Sequence, residues 1–209
     1  LGISDHSKSS FQANGLDEDR LLQQIENIRS LDKTLPELDL YAGNEVDILR
    51  DGTLDFEDSI LAQLDYVVAS VHASFNLSEK EMTKRIIKAM ENPYVTMLGH
   101  LSGRLLLRRE AYPVNHEKII DCAAATGTVI ELNCSSQRMD MDWTWWKRAR
   151  DKGVRGALNP DAHHADGLQN LHFGVRIARK GWLQREDILN CLPPKDIRKW
   201  LQTPKDKRS

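Results

Sequence analysis

Short apolar runs alternate with amphipathic segments along most of the chain, and this alternation predicts its fold. Residues 65–71 are almost wholly apolar, as is typical of a strand covered on both faces. Residues 16–35 instead carry apolar side chains at helical spacing. The acidic residues at the beginning of this segment suit the N-terminus of a helix. The pattern predicts strands near residues 1–6, 40–48, 65–71, 94–98, 128–132 and 154–158. It predicts helices near residues 16–35, 78–92, 115–125, 142–152 and 168–179, with short helices at 185–190 and 195–201.

The regular alternation of strands and helices also predicts how the strands pair. Strands separated by helices of this length pair in parallel through βα crossovers, and the commonest closed form of that arrangement is a barrel. A doubly wound open sheet is the alternative, but no strand is followed by glycines at GxGxxG or GxxxxGK spacing. We therefore predict an α/β barrel over residues 1–201, followed by a polar tail over residues 202–209.

A residue with a polar, ligand-type side chain stands at the end of each predicted strand. From Glu45 onward these residues recur every 27 to 33 positions, which is close to the length of one βα unit in a barrel. The carboxyl ends of parallel strands converge on one face, so these side chains should surround a single pocket. Imidazole and carboxylate groups together suit Zn, Mn or Fe better than Ca or Mg. In chain order the residues are Asp5 and His6, Glu45, His72, His100, Asn133, and Asp161 with His163.

Single histidines are more often surface or hydrogen-bonded core residues than metal ligands. Scattered structural histidines, however, have no reason to follow the βα period or to come directly after apolar runs, so the series as a whole favours a metal site. Outside the series, His116, His164 and His172 are interpreted as surface or supporting residues, and Asp47 and Asp65 as structural ones. The tryptophans at 143, 145 and 146 could stack on bases, but packing of a helix onto the barrel is favoured.

Two basic residues follow predicted ligands closely. Arg104 comes four residues after His100, and Lys8 comes two residues after His6. A guanidinium beside a metal pocket is well shaped to clamp a phosphate through two hydrogen bonds. We predict Arg104 and Lys8 as phosphate contacts, with ordinary solvated charges as the alternative.

The composition excludes several classes of protein. With 29 Lys and Arg against 31 Asp and Glu in 209 residues, the chain lacks the bulk basic charge of a dedicated nucleic-acid binder, so any such contact must be local. Cys122, Cys134 and Cys191 are too widely spaced for a disulfide framework or a zinc ribbon, which predicts a reduced, cytoplasmic setting. No apolar stretch is long enough to predict a membrane span.

The strand-end motifs together resemble the polymerase and histidinol phosphatase (PHP) family, and in particular the C-terminal PHP domain of bacterial family X DNA polymerases. The resemblance covers the chain to about residue 201. The motifs that carry it are ISDHSKS (3–9), ANGL (13–16), GNEVDIL (43–49), VASVH (68–72), LGH (98–100), GRL (103–105), ELN (131–133) and NPDAH (159–163).

The resemblance implies a distorted (β/α)7 TIM-like barrel, of which this chain would lack the first strand, and a cluster of up to three Mn, Zn or Fe ions. It implies that Glu45, His72 and His100 hold one metal and that Glu45 bridges to a second, which Asp161 also binds. It implies that His6 and His163 hold the third. A His-x-His motif and one further histidine, expected upstream of residue 1, would complete the second and third sites.

The resemblance also implies an activity, the hydrolysis of phosphoesters without a side-chain nucleophile. Glu45, Asp161 and Arg104 would be its catalytic residues, and the substrate would be a DNA 3′ end, processed for repair beside an upstream polymerase domain. The alternatives are a small phosphomonoester, as in histidinol phosphatases, and a non-catalytic module that braces a polymerase or binds a partner. Every ligand position that the chain reaches is filled, which favours an active enzyme.

Overall fold

The computed structural model describes residues 1–208, and in this range six parallel strands form one sheet in the order of the chain. All six predicted strands are found near their expected positions, and the fourth is shortened to two residues. The strands are β1 (Gly2–His6), β2 (Tyr41–Asp47), β3 (Tyr66–Ser70), β4 (Met97–Leu98), β5 (Val129–Asn133) and β6 (Gly156–Asn159).

Seven α-helices within residues 1–208 connect and cover these strands. Side-chain caps fix the start of several helices: Ser78 and Glu81 form a reciprocal capping box at one, and Asn115 accepts a hydrogen bond from the Lys118 amide at the next. The predicted helix at 168–179 begins only at Leu171, because residues 165–170 form a 3-10 turn. The helices are α1 (Glu18–Asp32), α2 (Asp58–Leu61), α3 (Glu79–Met90), α4 (His116–Thr126), α5 (Trp143–Asp151), α6 (Leu171–Lys180) and α7 (Pro194–Gln202).

The sheet curls into a half-barrel rather than closing. In residues 1–208 no backbone pairing joins β1 to β6, so these strands are the two edges of the sheet. Residues of both edges nevertheless line one cavity of about 860 Å³, which shows that the edges face each other across a gap. The predicted α/β architecture is confirmed as a half-barrel, whereas its closure by a further strand stays a prediction.

Two apolar layers hold the half-barrel together. The outer layer lies between sheet and helices and includes Trp146, which is 0 % exposed and packs against Gly156 and Gly181. The predicted packing role of the tryptophans is therefore confirmed for Trp146. The inner layer lies on the concave face of the sheet, where Tyr66 and Met97 form a cluster with residues of α7. The residues of α7 that pack against this inner cluster are Ile197, Trp200 and Leu201.

The segment predicted as a polar tail packs against the barrel as far as the structure describes it. Helix α7 extends to Gln202, and the Lys205 ammonium donates to the carbonyls of Met90 and Asn92 at the end of α3. Burial lowers the pKa of Lys205 to about 8. The last residue of the predicted tail, Ser209, lies outside the described residues. None of the helices between residues 1 and 208 combines the length and the apolar composition needed to cross a bilayer.

Candidate metal centre

Three histidines converge on the carboxylate of Glu45 at the carboxyl ends of the strands. The register of β1 and β2 places His6 directly opposite Glu45, while His72 and His100 lie just beyond the ends of β3 and β4. Glu45 Oε1 lies 3.0 Å from His100 Nε2 and 3.2 Å from His72 Nε2, and Glu45 Oε2 lies 3.5 Å from His6 Nδ1. Parallel pairing thus brings together side chains that are 94 residues apart in the sequence.

The donor atoms of this cluster fit a metal ion. His6 Nδ1 and His72 Nε2 are buried and have no hydrogen-bond partner among the described residues, although both face Glu45. One ligand atom from each of His6, Glu45 and His72 can be chosen so that all lie within 4.8 Å of one another. Burial leaves such ring nitrogens without solvent, so a cation that accepts imidazole and carboxylate ligands would satisfy them.

Glu45 and His6 have protonation states that suit a cation. Against the effect of burial, Asp47 and Glu45 raise the pKa of His72 to about 9, so His72 would release a proton when a metal binds. Burial alone would raise the pKa of Glu45, but the close approach and charges of His100 and His72 lower that pKa well below its usual range. Burial lowers the pKa of His6, against the attraction of Glu45. An ionised carboxylate and a neutral imidazole are the forms that bind metals.

Asp47 orients His72 by contacting the ring nitrogen that does not face Glu45. Asp47 Oδ1 lies 2.9 Å from His72 Nδ1, and the hydroxyls of Ser7 and Ser10 donate to Asp47 Oδ2. Such a carboxylate fixes the tautomer of a histidine ligand and directs its other nitrogen toward the metal. The interpretation of Asp47 as a structural residue apart from the site is therefore corrected. It is two residues after Glu45 and shares a face with it, so the strand alternation already carried this signal.

A second group of predicted ligands lies on the β6 side of the same face. Asp161 Oδ2 accepts a hydrogen bond from Asn133 Nδ2 at 3.0 Å and lies 3.3 Å from Arg138 Nε. The ring of His163 is 6.2 Å from the ring of His6, and the His163 side chain is 67 % exposed. His6 therefore lies between the two groups. The division of these ligands among three separate ions stays a prediction.

Glu131 lies beneath the cluster and was missed as a site residue. Its side chain is buried, and it accepts hydrogen bonds from the His100 amide at 2.6 Å, from Asn133 Nδ2 at 3.2 Å and from Asn159 Nδ2 at 3.0 Å. Burial raises the pKa of its carboxyl group. A glutamate in an otherwise apolar strand, two residues before Asn133 and hence on the same face, was the signal for it.

The two predicted phosphate contacts are occupied with other partners. Lys8 pairs with Glu18 at 2.5 Å and lines a separate groove beside Phe56. Arg104 donates from Nε to the carbonyl of Arg138 at 2.9 Å, from Nη2 to the carbonyl of Met139, and from Nη1 to a side-chain oxygen of Asp142 at 2.8 Å. Each nitrogen of the Arg104 guanidinium is therefore used to hold the loop after β5.

Arg138 is the guanidinium that the structure places at the ligands instead. Its Nε is 3.3 Å from Asp161, and its Nη1 is buried without a hydrogen-bond partner among the described residues. No pattern in the sequence distinguishes it from Arg104. Of the remaining histidines, His164 lines the cavity, His116 stacks on Trp145 at 4.8 Å between ring centroids, and His172 is exposed on α6.

Comparison with known proteins identifies the family. The chain is 38 % identical over 202 residues to a Bacillus subtilis (strain 168) protein named DNA polymerase/3′-5′ exonuclease PolX, covering 97 % of this chain and 35 % of that protein. It is 30 % identical over 191 residues to a probable phosphatase of Thermoanaerobacter sp. (strain X514), covering 87 % of this chain and 75 % of the relative. A probable phosphatase of Caldanaerobacter subterraneus subsp. tengcongensis is 28 % identical over 186 residues.

The chain therefore spans about a third of the Bacillus protein and about three quarters of the Thermoanaerobacter phosphatase. No model of a protein family matches the sequence. The chain belongs to the polymerase and histidinol phosphatase family of phosphoesterases.

Proposed function

We propose that this chain hydrolyses phosphoester bonds at DNA 3′ ends, as a 3′-5′ exonuclease or 3′-phosphatase in repair. The observation that carries the proposal is the convergence of three imidazoles on Glu45, where two of the nitrogens that face the carboxylate, Nδ1 of His6 and Nε2 of His72, are buried without a hydrogen-bond partner among the described residues. The choice of DNA rests on the printed name of the Bacillus relative, a DNA polymerase and 3′-5′ exonuclease.

The protein's own side chains divide into two ligand groups. His6, Glu45, His72 and His100 would hold one part of a multinuclear Mn, Zn or Fe centre, and Asp161 with His163 would hold the other. When bound, such ions supply an ionised water at neutral pH and neutralise charge on the phosphoryl oxygens. Glu45 and Asp161 would act in catalysis as the anionic ligands of these ions.

We infer that Arg138, held in place by Arg104, binds the phosphate. Arg138 has an unpaired Nη1 beside Asp161, whereas Arg104 holds the backbone of the loop that carries Arg138. Arg104 therefore has a positioning role in this proposal. Its direct contact with phosphate, like that of Lys8, would require its present partners to be released.

Replacing Arg138 by Gln should lower kcat/KM for phosphoester hydrolysis by about 10- to 100-fold, because one charge-assisted hydrogen bond to phosphate is lost. The variant keeps the first methylenes of the side chain and a polar end, so its melting temperature should stay near that of the native chain. Arg108→Gln removes an equal charge from an exposed position and serves as the matched control. Native kcat/KM in Arg138→Gln would assign phosphate binding to another residue.

We also propose that a further strand closes the barrel between β1 and β6. The outer edges of β1 and β6 have no pairing partner among the described strands, residues of both line the cavity, and an added strand would pair with both edges. Because the chain spans 35 % of the Bacillus protein, an upstream polymerase domain in the same polypeptide and a cytoplasmic setting belong to this proposal.

The proposed function is tested by measuring bound metal and Mn-dependent release of nucleotides from 3′-labelled DNA. The assay is made on this chain and on a form extended at its N-terminus. Metal binding together with 3′ cleavage by the extended form is the expected result. If the extended form neither binds metal nor cleaves DNA 3′ ends, the chain is a non-catalytic module.

A small phosphomonoester is the second candidate substrate, because two of the relatives are named probable phosphatases. A generic aryl phosphate assayed in parallel with DNA separates the two candidates. Hydrolysis of the aryl phosphate alone would move the assignment to a small-molecule phosphatase.

A further inference from the structure

Basic charge is concentrated in the last third of the chain. Residues 143–209 carry 15 Lys and Arg against 7 Asp and Glu, a net charge of +8, whereas residues 1–142 have a net charge of -10. The small overall charge of -2 conceals this asymmetry. A basic region on an otherwise acidic protein is the electrostatic footprint of a polyanion-binding surface.

Helix α6 displays three of these cations together. Arg176, Arg179 and Lys180 are exposed, and their spacing of i, i+3 and i+4 makes them neighbours on the helix surface. Within residues 1–208 none of the three forms an ion pair with a carboxylate; Lys180 instead lies over the Trp143 ring, 4.3 Å from its centroid. The helix dipole favours cations in the last turn, but neighbouring like charges repel each other unless an anion binds them.

Two exposed aromatic rings lie at the ends of this row of cations. Phe173 is 38 % exposed and lies one turn before Arg176, and Trp182 is 65 % exposed just after the helix. Trp182 has a φ of +66°, a strained conformation for a bulky side chain, and Arg150 donates to its carbonyl at 2.8 Å. The Trp182 ring is therefore exposed to solvent although its backbone is strained, and the strain is not offset by burial of the ring in the core.

The position of α6 relates this surface to the metal centre. Leu168 and Leu171, just before and at the start of α6, line the same cavity as Asp161 and His163. The helix has 10 residues and so extends for about 15 Å from that point. A chain molecule that leaves the cavity on this side would pass along the exposed face of α6.

We propose that the α6 face, formed by Phe173, Arg176, Arg179, Lys180 and Trp182, binds single-stranded nucleic acid outside the metal centre. The cations would contact phosphates and the two rings would stack on bases, the combination used by non-specific single-strand binders. An acidic peptide would pair with the cations but would leave both rings unused. The proposal rests on the proposed function for its link to the cavity, but the binding itself needs neither metal nor hydrolysis.

The electrostatic part is tested with a fluorescein-labelled 20-residue oligo-dT, by anisotropy in EDTA over a series of salt concentrations. The double substitution Arg179→Gln/Lys180→Gln should weaken binding at least about fivefold and reduce the slope of log K against log salt by about 1.4, or 0.7 per lost phosphate contact. Lys80→Gln/Lys84→Gln removes two exposed cations at helical spacing from α3 and should change Kd less than about twofold. Equal weakening by both pairs would overturn the proposal.

The stacking part is tested with Trp182→Ala and Trp182→Phe. The alanine variant should bind the oligonucleotide about 5- to 100-fold more weakly, and the phenylalanine variant should retain most of the affinity. Thermal melting identifies any variant that does not fold. In that case the double substitution Arg179→Gln/Lys180→Gln tests the proposal by itself. Native affinity in Trp182→Ala, or equal competition by poly-glutamate, would overturn the assignment to nucleic acid. Oligonucleotide binding without any 3′ cleavage would support the α6 face while contradicting the proposed function.

Discussion

Glu45→Gln should weaken the affinity of the chain for Mn²⁺ by more than about 100-fold, since changes in outer-shell partners alone cost 10- to 100-fold. The substitution keeps the shape of the side chain but removes the negative charge on which His6, His72 and His100 converge. The imidazoles would then be left with a neutral amide, which is a much poorer partner for a cation. Isothermal titration with Mn²⁺, supported by the metal content of the purified protein, measures the effect.

Glu26→Gln is the matched control for this substitution. Glu26 is an exposed glutamate on α1, so its replacement changes the net charge equally without touching the centre. The control should bind Mn²⁺ with native affinity. Equal Mn²⁺ affinity in Glu45→Gln and the native chain would show that the ion is bound elsewhere, and would remove the main support for the proposed function.

Trp146→Ala should lower the free energy of unfolding by about 3–5 kcal/mol, which is a large part of the stability of an ordinary domain. The side chain is 0 % exposed, lies against Gly156 at the start of β6 and against Gly181 after α6, and donates from Nε1 to the Met141 carbonyl at 3.2 Å. Alanine would leave a cavity that the glycines cannot fill and would remove that hydrogen bond. Urea denaturation followed by far-UV circular dichroism measures the loss.

Trp182→Ala provides the comparison within the same chain. Trp182 is 65 % exposed, so its removal should change the free energy of unfolding by less than about 0.5 kcal/mol. Trp146→Phe should fall between the two alanine variants, since phenylalanine fills part of the space. Similar urea midpoints for Trp146→Ala and Trp182→Ala would contradict the packing role of Trp146.

The architecture followed from local patterns because β3, β4 and β5 are buried on both faces and the longer helices, such as α1 and α3, bury one apolar side. The apolar run at 65–71 and the cap at Ser78 are both visible without any partner segment, and both lie in the structure where they were expected. The elements that the sequence did not predict are short. Helix α2 has four residues and the 3-10 segment at 165–170 has six, so neither is long enough to repeat an apolar position over several turns, which is the pattern that reveals a helix.

The predicted ligands meet because parallel strands carry their ends to one side, which a spacing pattern can reveal. The pattern could not show which arginine faces them. Arg104 and Arg138 both follow strands closely, but three backbone and carboxylate acceptors around Arg104 take up its nitrogens, while Arg138 keeps one unpaired among the described residues. Which arginine is free to face the ligands depends on the carbonyl groups of a loop more than 30 residues from Arg104 in the sequence. The directions of those carbonyl groups cannot be read from the sequence around either arginine.

The sequence by itself determined the type of fold, the strand ends that carry the candidate ligands, and Glu45, His72 and His100 as members of one cluster. Burial and helical periodicity are short-range properties, so they are readable along the chain. Only the tertiary structure decided that Asp47 and Glu131 support the ligands, that Arg104 braces a loop, and that Arg176, Arg179 and Lys180 form an exposed face with two aromatic rings. Those roles depend on which groups face each other across packed elements, a long-range property fixed only when the chain is folded.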